Sequence, residues 1–513
     1  MKKIYIRTAL VSINSNWRYS NIGIDQIGGY LREKGQNVDL LYYHHRENNE
    51  TILNDLTNRY DLIGFSVHSA NIERCVRLCK EIKAKDRNVK IALGGQYITL
   101  FHQEFSQTYK GYDYLVLGDG ENPLYDIIIS LQTSAPLCSL SVQTPLLNKH
   151  RIPARNSEIT WFPAMDYYEH DTPAHNRRKV HCLQTKNNIC TGTCAFCTER
   201  KGSIFRKPID SIIHEIEYVY TQFGIYQFFF TDDNIMDPND ASARHYIKLL
   251  CIKLKERKLP ISIKCYIKAI SFCDTKEDHE LLDLMASVGF ANMFIGLEAG
   301  NQRDLDLYHK TTTVEDNYTI IRLLKQHQIQ PIIGFIFFNP YSTIESLRAN
   351  YQFLLAIGAS NPFYYAATFV SLQKYTALFN KAQRDGLLHC DPLDTSTIDY
   401  TFADKDVTEL VLFVKNSLRP QILKLEYEPD TLCQNLEEYC KVNRNVAKYR
   451  PLVTKFQRES LEAIKTYFGK LYIENDLEYC RQKLYYFLNF YKDLEKKLLD
   501  IHWKIIDEVC KSD

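Results

Sequence analysis

Three cysteines carry the most specific chemistry in this chain. Cys190, Cys194 and Cys197 follow the spacing Cys-x3-Cys-x2-Cys in the run from Asn188 to Cys197. Three closely spaced thiolates can hold three irons of a 4Fe-4S cluster and leave the fourth iron without a protein ligand, open to chemistry. A closed zinc site is the main rival, but it needs four ligands, commonly as two short pairs. No second Cys pair or Cys/His pair follows at a suitable distance, although His181 and Cys182 just upstream keep zinc in play. Disulfides fit less well, because the 15 cysteines are odd in number and scattered, and nothing marks the chain as secreted. A reducing compartment, the cytoplasm, is expected.

With Phe196 in the aromatic place, the run Cys-x3-Cys-x-aromatic-Cys resembles the motif of the radical S-adenosylmethionine (SAM) enzymes, and the resemblance extends from about Asn176 to Leu388. It implies that the open iron chelates the amino and carboxylate groups of SAM. One electron from the cluster, delivered by a donor such as flavodoxin or ferredoxin, then cleaves SAM to methionine and a 5′-deoxyadenosyl radical that takes hydrogen from a substrate. The same resemblance marks further SAM contacts. Asp232 and Asp233 follow the apolar run 228–231 and suit hydrogen bonds to ribose hydroxyls or the SAM ammonium, a helix cap or surface turn being the alternative. Lys268, with Lys264 before it, could pair the methionine carboxylate where the family more often uses Arg; a solvated lysine is the alternative. Glu298 lies in Gly296-Leu-Glu-Ala-Gly300, which closely matches the family's Gly-hydrophobic-Glu-small-Gly turn, whose Glu contacts SAM. Two loops depart from the pattern. Asn339-Pro340 stands where a Gly-x-Pro is usual, and Gln373-Lys374-Tyr375-Thr376 where relatives often have Pro-Gly-Thr. Both lie near the substrate side, so their drift points to an unusual substrate.

These residues need elements to position them. Strand-like segments at 181–184, 226–231, 261–266, 293–297, 332–338 and 364–370 alternate with helical periodicity at 209–223, 241–256, 277–288, 314–326 and 343–357. Six such units make the partial (β/α)6 TIM barrel that the resemblance implies, with side chains at the carboxyl ends of the strands facing the reaction space. Upstream, short apolar segments at 4–12, 38–43, 61–68, 89–93 and 114–117 alternate with helical stretches at 22–34 and 72–85, the order of a doubly wound parallel sheet of Rossmann-like α/β type. Ligands on that architecture sit beyond the carboxyl ends of the strands. Ser66 and Ser69 fall there after the third strand, Gly94 and Gly95 after the fourth, and Gly118, Gly120 and Glu121 after the fifth. Glycine lets a backbone approach a bulky ligand closely.

That layout resembles the cobalamin-binding domain preceding the barrel in one large class of the family, the class B radical SAM methyltransferases. The resemblance implies cobalamin as a further cofactor. The Asp-x-His-x-x-Gly motif whose His ligates cobalt in many cobalamin proteins is missing, and the loop from Asn14 to Gly23 contains no His. Members of this class often lack it. The alternative is a degenerate domain with ordinary loop glycines.

The division expected is a Rossmann-like domain at 1–133, a proline-bearing linker at 134–175, the barrel at 176–388 and a helical C-terminal domain at 389–513. In the last, the stretch 484–491 is apolar and aromatic nearly all round and is expected to be core of a helical bundle, a substrate lid or peptide-binding surface being the alternative. Cys433 and Cys440 are too few for a second cluster, and Cys75 and Cys79, one helical turn apart, are expected to pack inside. With 63 basic and 62 acidic residues the net charge is +1, so no global field recruits nucleic acid or an anionic membrane. No apolar run approaches the roughly 18 residues of a membrane span. The expected activity is methylation of an unactivated carbon in a small-molecule or peptide substrate. Alternatives are cyclisation, rearrangement or epimerisation with the same cofactors, for which Cys265 or Cys273 could donate hydrogen, and a cluster- and cobalamin-binding sensor without turnover.

Overall fold

The computed structural model describes residues 5–14, 16–137, 142–143, 160–169, 171–187, 189–198, 203–359, 365–389, 400–422, 432, 436, 439–440 and 443–510. The chain forms two compact units, Met1–Asn187 with Gly202–Phe229, and Asn188–Lys201 with Phe230–Asp513.

The first unit is built on strands β1 (Thr8–Asn14), β2 (Val38–His44), β3 (Leu62–Ser66), β4 (Lys90–Gly94), β5 (Tyr114–Val116) and β6 (Val142–Gln143), in the order β2-β1-β3-β4-β5-β6. The first five are parallel, as expected; β6 pairs antiparallel with β5. Strand β1 is buried on both faces, which explains its unbroken apolar reading. Ala9, Val11 and Ile13 join one core layer with Ile63 and Phe65, while Leu10 joins the other with Leu62, Ala92 and Val116. Helices Ile22–Glu33 and Ile72–Lys85 form where their periodicity placed them. Cys75 and Cys79 pack inside on the second. Chain order reverses between β1 and β3, which makes the crevice at their ends the switch point of the sheet.

Part of the expected linker is packed structure. Residues 142–143 complete the sheet edge, and Trp161 and Ala164 enter the core beside Tyr30 and Leu40. The Ala164 N–H donates to the Asp25 carbonyl at 2.9 Å, and Arg32 grips Asp166 at 2.6 Å. Burying this indole takes a large apolar surface out of water.

The first unit also holds β7 (Val180–Leu183) and, up to its last residue, β8 (Gln227–Phe230), joined through the helix Ile209–Phe223. Glu215 on that helix is fully buried, paired with Lys207 and, at 2.8 Å, with His181, whose other ring nitrogen meets the Tyr168 hydroxyl at 2.8 Å. Burial alone would raise the Glu215 carboxyl, but Lys207 and His181 outweigh it and hold it at about 2.

In the second unit β9 (Ser262–Lys268), β10 (Phe290–Glu298) and β11 (Gln330–Phe335) run parallel in the order β11-β10-β9. Helices Lys276–Ser287, Val314–Gln326 and Ile344–Ala356 each open with a threonine, Thr275, Thr313 or Thr343, in a reciprocal capping box. Each cap is worth about 1 kcal/mol. The sixth strand expected at 364–370 is reduced, among its described residues, to one parallel bridge between Phe338 and Phe369. Tyr364 lies outside the described residues. The Thr368 hydroxyl explains the reduction: it accepts the Phe337 N–H at 3.1 Å and can donate to the Phe335 or Tyr365 carbonyl, so a side chain takes over ladder bonds.

The C-terminal part is helical, with Arg450–Phe468 and Leu477–Cys510 as its long members. The expectation for 484–491 needs correction. Phe487 and Tyr491 are buried, but Tyr485 and Tyr486 are 71% and 69% exposed, because the packed partners cover only one stripe of that helix. Cys433 lies outside the described residues. Among the described residues no helix is long and apolar enough to cross a membrane.

Candidate functional site

The cysteine run is an irregular loop in which Cys190, Cys194 and Cys197 are half-buried. Its first half is tied down by Asp237. That carboxylate accepts the Thr191 N–H at 3.0 Å and the Thr191 hydroxyl at 2.5 Å, while the Asn239 amide donates to the same hydroxyl oxygen at 2.9 Å. Burial pushes the Asp237 carboxyl up, but the Thr191 hydrogen bonds and the nearby Lys268 ammonium hold it below its ordinary value. Lys268 itself reaches the loop, since a Cβ at Gly192 would lie 2.9 Å from its Nζ and 3.4 Å from the Cys190 Sγ. The Gly192 N–H points at that sulfur from 3.4 Å.

The second half of the loop is held by packing. The Ala195 N–H donates to the Tyr308 carbonyl at 2.8 Å, and its carbonyl accepts from Leu378 at 2.7 Å. Phe196 meets the Tyr308 ring edge to face at 5.5 Å, within an apolar cluster that also contains Ala299 and Leu305. The Thr198 hydroxyl donates to Gln373 at 2.8 Å, so one of the departing loops touches the cysteine run directly.

Glu298 ends β10 with φ +66°, and the register of β10 against β11 shifts between Gly296 and Glu298. A left-handed conformation costs a residue with a Cβ roughly 1–2 kcal/mol, and such strain gathers where a side chain must be re-aimed. Surrounding bonds enforce it. Asn317 donates to the carbonyls of Leu297 at 3.1 Å and Ala299 at 3.0 Å, and the Glu298 carbonyl accepts from Ile336 at 2.8 Å. A Cβ at Gly296 would lie 2.5 Å from Glu298 Oε1, so a larger residue there would push the carboxylate aside. Lys310 donates to the Gly296 carbonyl at 3.0 Å and stands 3.5 Å from Glu298 Oε1. Burial raises the Glu298 carboxyl against the pull of Lys310.

Asp232 is fully buried beyond β8 and Asp233 half-buried beside it. The next residue, Asn234, is fully buried with both side-chain amide atoms lacking a hydrogen-bond partner among the described residues. Buried amides are rarely left so unless a further group completes them. Cys265 is fully buried and alternates along β9 with the more open Lys264, Tyr266 and Lys268. Its thiol is pushed up by burial, with Asp232 and Cys251 adding to the rise. Cys273 is exposed after β9, 3.8 Å from the Ile270 carbonyl.

In the first unit the strand ends form a second candidate site. Asn71 donates to the carbonyls of Ile13 at 3.2 Å and Ser66 at 3.0 Å, clamping the switch point between β1 and β3. Gly95 has φ +105°, and a Cβ there would lie 2.6 Å from the Val67 carbonyl oxygen. Thr99 donates to the Gly95 carbonyl and accepts the Gly118 N–H, both at 3.0 Å, so one hydroxyl joins the loops after β4 and β5. Gly118 has φ +77°, and at Gly120 a Cβ would lie 2.7 Å from Ile27. Glu121, nearly buried, opens the helix Glu121–Thr133, and Ser69 is exposed in the turn after β3. Ser66, Gly94 and Gly118 are half-buried at the strand ends and present nothing larger than a hydroxymethyl.

Sequence reasoning missed Asp237, Thr191, Asn317, Asn71 and Thr99. Only Asp237 had a local signal, five residues beyond Asp232 on the same strand-end segment.

Both sites fit the groups expected of them. The unpartnered Asn234 amide and the bulge-aimed Glu298 offer polar contacts to a ligand near the cysteine loop, and the small residues at the strand ends leave room for a flat one. Among the described residues no three His, Cys, Asp or Glu side chains are already gathered as a metal cage, so the three thiolates would close on the cluster as it assembles.

Comparison with known proteins matches two stretches of the chain. Residues 9–128 match the B12 binding domain, and residues 186–354 match the radical SAM superfamily. The anaerobic magnesium-protoporphyrin IX monomethyl ester cyclase of Cereibacter sphaeroides is 31% identical over 166 residues, 32% of this chain and 26% of the relative. That of Rubrivivax gelatinosus is 23% identical over 353 residues, 64% of this chain and 60% of the relative. The chain thus spans about a quarter and three fifths of these two curated relatives. The cytidylyl-2-hydroxyethylphosphonate methyltransferase of Streptomyces wedmorensis is 27% identical over 230 residues, 40% of each chain. Among solved structures, the cobalamin-dependent SAM radical enzyme OxsB shares the fold with a TM-score of 0.71 at 16% identity, over 98% of this chain and 80% of that one. Cobalamin, SAM and a 4Fe-4S cluster, expected from the sequence, are the cofactors of the two matched domains. This chain carries a B12 binding domain followed by a radical SAM domain.

Proposed function

We propose that this protein is a cobalamin-dependent radical SAM enzyme that methylates an unactivated carbon of a peptide or natural-product intermediate. The carrying observation is the joining, in one chain, of a B12 binding domain to a radical SAM domain whose cysteine loop is tethered beside Lys268. A methyltransferase among the relatives supports the outcome. When bound, the cluster and SAM supply a hydrogen-abstracting radical, and cobalamin supplies a methyl group; the protein binds and orients.

In this reading Cys190, Cys194 and Cys197 ligate the cluster, and Phe196 locks their loop onto Tyr308. Lys268 meets the SAM carboxylate. Asp232 and Asp233 take ribose or ammonium hydrogens, and Glu298 accepts a further donor from SAM. Ser66, Ser69, Gly94, Gly95, Gly118, Gly120 and Glu121 line the cobalamin crevice. The functional domains are 1–133, 176–388 and 389–513 with a connecting segment at 134–175, and electrons come from a flavodoxin- or ferredoxin-type donor.

A second reading, ring closure or rearrangement without methyl transfer, is favoured by the cyclase relative, which covers 64% of this chain against 40% for the methyltransferase. Hydrogen donation by Cys265 gains no support, because that thiol is fully buried on the face of β9 opposite Lys268; Cys273 is accessible.

The two readings differ in what SAM becomes. Reduced, reconstituted protein that methylates must release S-adenosylhomocysteine as well as 5′-deoxyadenosine. A cyclase or rearrangement enzyme releases 5′-deoxyadenosine alone, and a sensor releases neither. Chromatography of the SAM products therefore tests the proposal, and absence of S-adenosylhomocysteine overturns it.

A further inference from the structure

Away from the residues assigned to cofactors, two histidines face one another between adjacent helices. His279, on the helix Lys276–Ser287, places Nδ1 2.7 Å from Nε2 of His327, the C-terminal cap of the helix Val314–Gln326. The remaining nitrogen of each ring is held by a carboxylate: His279 Nε2 by Asp274 at 2.8 Å, and His327 Nδ1 by Asp283 at 2.6 Å. Arg322 grips the other Asp274 oxygen at 2.6 Å, and with His279 it keeps that carboxyl below its ordinary value.

Ionised carboxylates only accept, so each ring must turn an N–H toward its aspartate. The two nitrogens that face each other then both carry lone pairs. At 2.7 Å such a pair repels unless a cation lies between, either a proton or a metal ion. An imidazole whose other N–H is oriented by a carboxylate is the usual arrangement of a metal-ligating histidine, and here it occurs twice, mirrored about one point. The partial negative charge of the helix end at His327 also favours a cation there.

We propose that His279 and His327 bind one divalent transition-metal ion of the kind imidazole favours, such as zinc, nickel or copper. With metal–nitrogen bonds of roughly 2.0–2.1 Å, tetrahedral ligands stand roughly 3.3 Å apart, so the rings must part by a fraction of an ångström. The His279 side chain is 39% exposed and has room to swing, while His327, 8% exposed, is the fixed member. Among the described residues no third His, Cys, Asp or Glu joins them, and water completes the coordination. The ion staples two neighbouring helices of the second unit.

The test uses the full chain with its cluster reconstituted in the oxidised, diamagnetic state, and in parallel a Cys190→Ala/Cys194→Ala/Cys197→Ala variant, each also carrying Cys273→Ser, so that neither the cluster cysteines nor the exposed thiol competes. One equivalent of Cu2+ should give an electron paramagnetic resonance spectrum split by two nitrogens, lost in His279→Ala and in His327→Ala. Zinc calorimetry should find one site, weakened roughly 10- to 100-fold in Asp283→Asn, which keeps both ligands but loses the orienting carboxylate. Asp283 is 73% exposed, so that variant leaves packing intact. Zinc should raise the melting temperature of the parent but not of His279→Ala. A copper spectrum unchanged by either histidine variant, or no saturable zinc binding, would mean that the pair holds a shared proton only, and would overturn the proposal.

Discussion

The two candidate cofactor sites are made of different materials. The crevice in the first unit is backbone: glycines at positive φ, loops pressed together to a distance at which a methyl group collides, and two polar side chains, Asn71 and Thr99, spent entirely on carbonyls and N–H groups. The site in the second unit is largely side chain, with Asp237, Asn317, Lys310 and the Tyr308 ring each reaching to hold an irregular loop or a strained turn. A site made of backbone should fail when an atom is added, and one made of side chains when an atom is removed.

The largest effect is expected from Cys194→Ala. Losing one of three thiolates should abolish cluster retention and 5′-deoxyadenosine formation while cobalamin binding survives, as iron and cobalamin counts on one sample would show. Next, Glu298→Gln should raise the KM for SAM roughly 10- to 100-fold, about 1.4–2.7 kcal/mol, with the melting temperature little changed. Because burial raises the Glu298 carboxyl, parent affinity for SAM should climb as pH rises through that elevated value, whereas the glutamine variant stays flat. On the backbone side, Gly95→Ala should cost roughly 1–3 kcal/mol of stability together with cobalamin retention. Gly94→Ala makes the control: its Cβ would meet Val116 at 3.5 Å, an ordinary contact, so it should keep its stability in a urea melt. The smallest effect belongs to Asp237→Asn, which disturbs the Thr191 tether, worth about 1 kcal/mol. Reconstitution should yield less cluster per chain with the fold intact by circular dichroism.

The same contrast explains what could be read from the sequence. A cysteine triplet is local and chemically rare, and paired glycines after an apolar strand announce themselves, so the centre of each candidate site can be proposed from sequence. Strands β7 to β11 and the helices between them fall within a few residues of the periodic segments, because threonine caps and apolar spacing act over a single turn. Residues acting across long separations had no such signal. Asp237 reaches back to Thr191 over 46 positions, and Thr99 joins loops that are adjacent only once the sheet has formed. Trp161 sits in a stretch too polar and proline-bearing to look like core, and its ring alone is no signal, because Trp17 and Trp503 are exposed. The sixth strand failed because one hydroxyl, Thr368, replaces the ladder, and 484–491 was overcalled because apolar composition does not say how many sides of a helix have partners.

The most direct test of the account is anaerobic reconstitution with iron, sulfide and hydroxocobalamin, followed by desalting and measurement of cobalamin absorbance against iron. The account predicts that cobalamin and one 4Fe-4S cluster stay with the same chain, and that Gly95→Ala loses the first while Cys194→Ala loses the second. A parent protein that keeps its cluster but releases all its cobalamin would contradict it.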